Sequence, residues 1–136
     1  MKTVLFVCVH NSGRSQMAAA YFNHLSGGQN RAISAGTQPS KNVNPTVVQA
    51  MLEEGIDISH NQPILLTPDM LQSADKVISM GCIDADACPV RLVPMEDWAL
   101  PDPKRKTLVE VKMIRDRIKQ SVVELLESLK IEGAAK

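Results

Sequence analysis

The sequence predicts an α/β sandwich, a parallel sheet with helices on both faces. Residues 3–9 are continuously apolar and rich in β-branched side chains, as in a central parallel strand buried on both sides. Strand-like and helix-like stretches then alternate along the chain. The last long stretch spaces Val111, Ile114, Ile118, Val122, Leu125 and Leu129 three or four residues apart, the stripe of a helix lying on a core.

Each element has its own signal. After the first strand, residues 14–25 follow a helical period, with Met17, Ala18, Tyr21, Phe22 and Leu25 on one side and Gly27-Gly28 as the stop. A second strand is expected over 31–35, ending in Ser34-Ala35-Gly36-Thr37. Asn44-Pro45 reads as an N-cap followed by proline at the first helical position. Val48, Met51 and Leu52 continue that helix, and Gly55 is placed at its C-terminal turn. Thr67-Pro68 opens a short helix in the same way. Residues 75–80 form a third strand and 91–95 a fourth. Thr107-x-x-Glu110 is a capping box for the last helix.

The chain has 136 residues, and nothing in it resembles a linker or a repeat, so residues 1–136 read as one domain. Its 44% apolar and 22% charged content is that of a globular protein. Fifteen basic and fifteen acidic residues cancel, which argues against nucleic acid or an anionic membrane as partner. The apolar run near the N-terminus is too short for a signal sequence, and no stretch approaches a membrane span. A cytoplasmic monomer is the expectation. Any preference for anions must come from a local site.

One motif supplies such a site. The first strand ends at Cys8, and Val9-His10-Asn11-Ser12-Gly13-Arg14-Ser15 leads into the first helix. Backbone N–H groups of this loop, with the free N-terminal amides of the helix, suit an oxyanion. Gly13 permits close approach, and Asn11 is comfortable in the left-handed region. Arg14 offers a planar fork for two oxygens. Cys8 lies among these donors, which favour its thiolate, the nucleophilic form. Ser12 and Ser15 can donate to that thiolate or to a loop carbonyl. His10 could also bond a ligand, although the pocket has donors without it. In parallel sheets the ligand lies beyond the carboxyl ends of the strands, where Cys8 stands.

Displacement of an oxygen by a thiolate calls for a proton donor. Asp102, between Pro101 and Pro103, is first of all a rigid turn, but a carboxyl held so stiffly can serve. Glu96 and Asp97 are competitors, and Trp98 reads as packing. The other two cysteines, Cys82 and Cys88, fall in a polar stretch with Gly81, Asp84, Asp86 and Pro89. Buried small hydrophobes are the plain alternative for them. A zinc site lacks both the C-x2-C spacing and a nearby histidine.

Together, Cys8-x5-Arg14-Ser15, the Ser34-Ala35-Gly36 turn and Asp102-Pro103 resemble the low-molecular-weight protein tyrosine phosphatases, and more closely their thioredoxin-coupled arsenate reductase branch. The resemblance covers nearly the whole chain. It implies a four-stranded parallel sheet in 2-1-3-4 order, Cys8 as nucleophile, Arg14 as oxyanion ligand and Asp102 as general acid. It also implies a relay in which Cys82 attacks Cys8, Cys88 attacks Cys82, and thioredoxin reduces the Cys82–Cys88 disulfide. The substrate would be arsenate, with phosphate or sulfate as competitors and no metal or organic cofactor. Some relatives hold a potassium ion through a glutamate in the first helix, where Ala19 stands here.

Geometry adds that six residues of regular helix separate Cα atoms by about 9 Å. A disulfide needs about 4.4–6.8 Å, so Cys82 and Cys88 can bridge only if their segment is not a regular helix. Against a phosphotyrosine substrate, Lys104-Arg105-Lys106 follows Asp102-Pro103 where phosphatases of this kind carry aromatic residues, and aromatics make up only 3% of the chain. A phosphatase acting on phosphate monoesters, and a non-enzymatic redox-sensing or oxyanion-binding module, remain the other two readings.

Overall fold

A computed structural model of the chain describes residues 2–80 and 96–134. Its central strand is β1 (Thr3–Cys8), hydrogen-bonded on both sides. On one side lies β2 (Arg31–Gly36), in parallel register from Thr3↔Arg31 to Cys8↔Gly36. On the other lies β3 (Lys76–Ser79), from Val4↔Lys76 to Val7↔Ser79. A short strand, β4 (Glu96–Asp97), pairs parallel with β3 through Ile78↔Glu96. The sheet order β2-β1-β3-β4 is the 2-1-3-4 order expected. The fourth strand expected over 91–95 lies outside the described residues.

Alternation along β1 splits the core in two. Val4, Phe6 and Cys8 face a large cluster that includes Met17 and Phe22 of α1 (Arg14–Ser26), Met51 of α2 (Pro45–Leu52) and Ile118 of α4 (Leu108–Ala134). Leu5 and Val7 face a smaller cluster with Ala35, Val77 and Leu71, the last from α3 (Pro68–Ser73). Phe6 joins the two ends of the larger cluster. Its ring meets Phe22 edge-on at 6.2 Å and Trp98 at 5.6 Å. Truncating such a fully buried ring costs about 3–5 kcal/mol.

The caps are those the sequence announced. Asn44 Oδ1 accepts from the Thr46 amide at 2.9 Å, and Thr67 Oγ1 accepts from the Met70 amide at 3.3 Å. Thr107 and Glu110 make the reciprocal capping-box bonds, 3.1 and 3.2 Å long. The Thr107 amide first, and then the Thr107 hydroxyl, both donating to Glu110 Oε1, hold that carboxyl below its usual range. Gly27 closes α1 with a φ of 61°, in the left-handed region. The six stripe residues of α4 are all buried.

Two expectations fail. Leu25 and Leu52, assigned to apolar faces, are exposed. Leu25 lies beyond Phe22, the last buried residue of α1, whereas Leu52 falls off the buried face of α2, which is formed by Val47, Ala50 and Met51. The α2 helix also stops at Leu52 with Glu53 as cap, and Gly55 lies in the turn beyond it with a φ of 77°.

Polar contacts tie α2 to α4. Lys112 pairs with Glu53 at 2.8 Å, Lys119 pairs with Glu54 at 3.1 Å, and Arg115 donates to the Ala50 carbonyl at 2.9 Å. Tyr21 of α1 also donates to Glu54, at 3.0 Å. Burial, with Glu54 beside it, pushes the Tyr21 phenol above its usual range. The hydrogen bond from Lys119 first, then that from Tyr21, holds the Glu54 carboxyl low.

Candidate active site

Where β1 leaves the sheet, the chain turns sharply into α1, and every carbonyl from Cys8 to Gly13 is held from outside the turn. Those of Cys8, Val9, His10 and Ser12 accept the amides of Thr37, Gln38, Ser40 and Asn44, at 3.2, 2.8, 3.0 and 2.9 Å. The Asn11 carbonyl accepts Gln16 Nε2 at 3.1 Å, and that of Gly13 accepts the Met17 amide at 3.0 Å. None of the peptide bonds in this loop is cis. In a trans peptide the N–H points opposite to the C=O. The amides of residues 9–14 are thereby turned away from the carbonyls' partners. The Asn11 amide, one of this set, lies 3.2 Å from Cys8 Sγ, so the sulfur is on the side the amides face. A row of aimed amides ending at a helix N-terminus binds an anion.

Asn11 holds the turn in shape. It is fully buried with a φ of 49°, a region that costs most residues about 1–2 kcal/mol and asparagine less. Its side chain supplies the compensation. Nδ2 donates to Ser15 Oγ at 2.6 Å, and Oδ1 accepts from the Ile64 amide at 2.9 Å and from Gln16 Nε2 at 3.2 Å. Gln16 in turn accepts from Asn61 at 3.1 Å. The loop is thus braced against residues 61–64, a support that no sequence motif announced.

Ser15 Oγ lies 2.9 Å from Cys8 Sγ. Because that oxygen already accepts from Asn11, its own hydrogen is free to point at the sulfur. Cys8 is buried and free of disulfide.

Two glycines let the walls close. A Cβ on Gly13 would come within 2.5 Å of Pro103 Cγ, so the absence of a side chain there admits the Asp102-Pro103 turn. A Cβ on Gly36 would meet the Val9 carbonyl oxygen at 2.7 Å and the Asn11 amide at 2.9 Å. Ser34-Ala35-Gly36, expected as a turn, is the end of strand β2, and its Gly36 is the surface on which the loop is packed.

Arg14 is only 6% exposed. Its Nη1 donates to the Leu100 carbonyl at 2.9 Å, while Nη2 lies 3.9 Å from Asp102 Oδ2. The segment from β4 reaches the site by way of Trp98, whose amide donates to the Ser79 carbonyl at 2.7 Å. Asp102 Oδ1 accepts from the Lys104 amide at 2.9 Å, so Oδ2 is the oxygen that faces the site. His10 Nδ1 also lies 3.9 Å from that oxygen. Asp102, far away in sequence, is thus brought to the loop that carries Cys8, His10, Arg14 and Ser15. Of the competitors for the acid, Glu96 faces Lys76 at 3.6 Å and accepts from Trp98 Nε1 at 3.2 Å. Trp98 packs on Phe6, as a packing residue should. Cys82 and Cys88 lie outside the described residues.

Comparison with known proteins agrees with this geometry. The family described as low molecular weight phosphotyrosine protein phosphatase matches residues 3–135. The chain belongs to this family. Within the low molecular weight phosphatase family, it is 41% identical over 124 residues to arsenate reductase 1 of Staphylococcus epidermidis, covering 89% of this chain and 92% of that one. Among solved structures it matches a thioredoxin-dependent arsenate reductase of Corynebacterium glutamicum, with a TM-score of 0.81 and 36% identity. That match covers 97% of this chain but only 63% of the larger protein. An arsenate reductase in its phosphate-binding state matches with a TM-score of 0.81 and 34% identity, covering 94% of this chain and 98% of that one.

Proposed function

We propose that this chain is an arsenate reductase, a single domain over residues 1–136 that uses thioredoxin as its external reductant. The observation that carries the reading is the cradle around Cys8, with Arg14 and Asp102 at its mouth, in a chain 41% identical to an arsenate reductase over most of its length. In this reading arsenate lies against the amides of residues 9–14, and Arg14 turns its fork to two of its oxygens. The Cys8 thiolate attacks arsenic, so an As–S bond forms and an As–O bond breaks. Asp102 gives its proton to the departing oxygen, which leaves as water.

The Cys82 thiolate then attacks Cys8 Sγ. The S–As bond breaks with its electron pair going to arsenic, which leaves as arsenite, and a Cys8–Cys82 disulfide remains. Attack by Cys88 on Cys82 frees Cys8 and moves the disulfide to Cys82–Cys88. The dithiol of thioredoxin reduces that bond by exchange. The chemistry needs no metal or organic cofactor.

The family also supports a second reading, hydrolysis of phosphate monoesters through a cysteinyl-phosphate. One preparation assayed twice separates the two. Arsenate reduction coupled to thioredoxin, thioredoxin reductase and NADPH should turn over many times, and p-nitrophenyl phosphate should be cleaved weakly. Rapid hydrolysis without arsenite production would overturn the reductase reading.

A further inference from the structure

We propose that His10 is the positioning residue for Asp102, holding its Oδ2 over the cradle and stabilising the charge left when the proton departs. The proposal rests on the reading of Asp102 as the acid. Asp102 has one oxygen to work with, because Oδ1 is held by the Lys104 amide. Its other oxygen faces Arg14 Nη2 and His10 Nδ1, each at 3.9 Å. Arg14 has a prior task. Nη1 is tied to Leu100, and an oxyanion in the cradle draws the rest of the fork. His10 is then the group left facing Oδ2.

The imidazole is well placed for this role. Its backbone carbonyl is pinned by the Ser40 amide, which fixes the root of the side chain. The ring is 31% exposed and the carboxyl 43%, so both can move by the ångström that turns 3.9 Å into a hydrogen bond. Such bonds are commonly long in a free enzyme and tighten with substrate. Pro101 and Pro103 stiffen the backbone on either side of Asp102, so the adjustment falls to the side chains.

An Nδ1–H donated to Oδ2 is weak while the carboxyl is neutral and strengthens as the carboxylate forms. An interaction that grows along the reaction lowers the barrier rather than tightening substrate binding. His10 should therefore act on the maximal rate and leave the arsenate half-saturation concentration nearly unchanged. The atom involved is attached to Cγ of the ring. Asparagine carries its amide nitrogen at the same distance from the backbone, whereas glutamine carries it one bond further out.

The test is the rate of a single turnover, arsenite formed by pre-reduced enzyme without external reductant, as a function of arsenate concentration. His10→Ala should lower the maximal rate about tenfold, with half-saturation changed less than about twofold. His10→Asn should recover most of the rate and His10→Gln should not. In an Asp102→Asn background, itself slowed about 100-fold, His10→Ala should have no further effect. Competitive inhibition by phosphate, unchanged in all variants, checks that the cradle is intact. An undiminished rate in His10→Ala, equal rescue by glutamine, or a full tenfold loss in the Asp102→Asn background would each overturn the role of His10. A full rate in Asp102→Asn alone would instead remove Asp102 as the acid.

Discussion

The hydroxyl of Ser15 stands 2.9 Å from the sulfur of Cys8, and against a thiolate it is the hydroxyl that donates. Asn11 Nδ2 holds the hydroxyl oxygen in place at 2.6 Å and leaves the Ser15 hydrogen available to the sulfur. Ser15→Ala removes that donor from a nucleophile that must carry negative charge. A hydrogen bond to a charged group is worth about 1.5–3 kcal/mol, so kcat should fall about 10- to 100-fold. The rate of Cys8 alkylation near neutral pH should fall with it, while KM changes little. Alkylation of the variant at the parent's rate would show that Ser15 merely packs.

Gly13 and Pro103 test how tightly the acid is held. Gly13→Ala places a methyl group 2.5 Å from Pro103 Cγ, and neither a helix start nor a proline ring yields easily. The Asp102 turn must move outward. A displacement of about 1 Å at a reacting group costs on the order of 100-fold in rate. Phosphate, which needs the cradle but no acid, should still inhibit with an affinity within about threefold of the parent's. A parallel collapse of phosphate binding would mean that the loop, rather than the acid, had been displaced.

Much of this was legible in the sequence because it rests on short-range rules. The strand that ends at Cys8, the caps at Asn44, Thr67 and Thr107, and the buried stripe of α4 each follow from periodicity or from a local donor. The cradle could be read from Cys8 to Ser15 for the same reason. What could not be read was what holds the cradle open. The amides of Thr37, Gln38, Ser40 and Asn44 carry no residue-specific signal, since any amino acid other than proline has an N–H. The brace from Gln16 and Asn61 to Asn11 depends on how a surface segment folds back, and neither residue type is unusual at a helix start or in a loop. Leu25 and Leu52 show the converse limit. Periodicity placed them on apolar faces, but Leu25 lies past the last buried residue of α1, and Leu52 lies beside the Val47, Ala50 and Met51 face that α2 buries.

Glu54 makes stability depend on acid. Its carboxyl is held below the usual range, first by Lys119 and then by Tyr21. A carboxylate with a lowered folded pKa contributes stability that is fully present above its unfolded value, about 4.3–4.5. That contribution is lost as pH falls through the folded value. Urea midpoints of the parent and Glu54→Gln should therefore differ at pH 7 and converge as pH falls past the unfolded value and through the lowered folded one. A constant gap between the two from pH 7 to pH 3 would show that the carboxylate charge is not what Lys119 and Tyr21 recognise.

In the proposed relay, Cys82 and Cys88 are what should divide reduction from hydrolysis. Both readings of the site need Cys8, Arg14 and Asp102, but only reduction needs somewhere for Cys8 to pass its bond. Cys82→Ser should abolish repeated arsenate reduction while leaving p-nitrophenyl phosphate hydrolysis within about twofold of the parent, since hydrolysis resolves the cysteinyl intermediate with water. Cys88→Ala should release about one arsenite per chain and then stall as a Cys8–Cys82 disulfide, visible by peptide mapping. In that state Cys8 is blocked, so p-nitrophenyl phosphate hydrolysis should stop until dithiothreitol is added. Sustained turnover of Cys88→Ala with thioredoxin would mean that thioredoxin attacks the first disulfide directly, and the second exchange would then be dispensable.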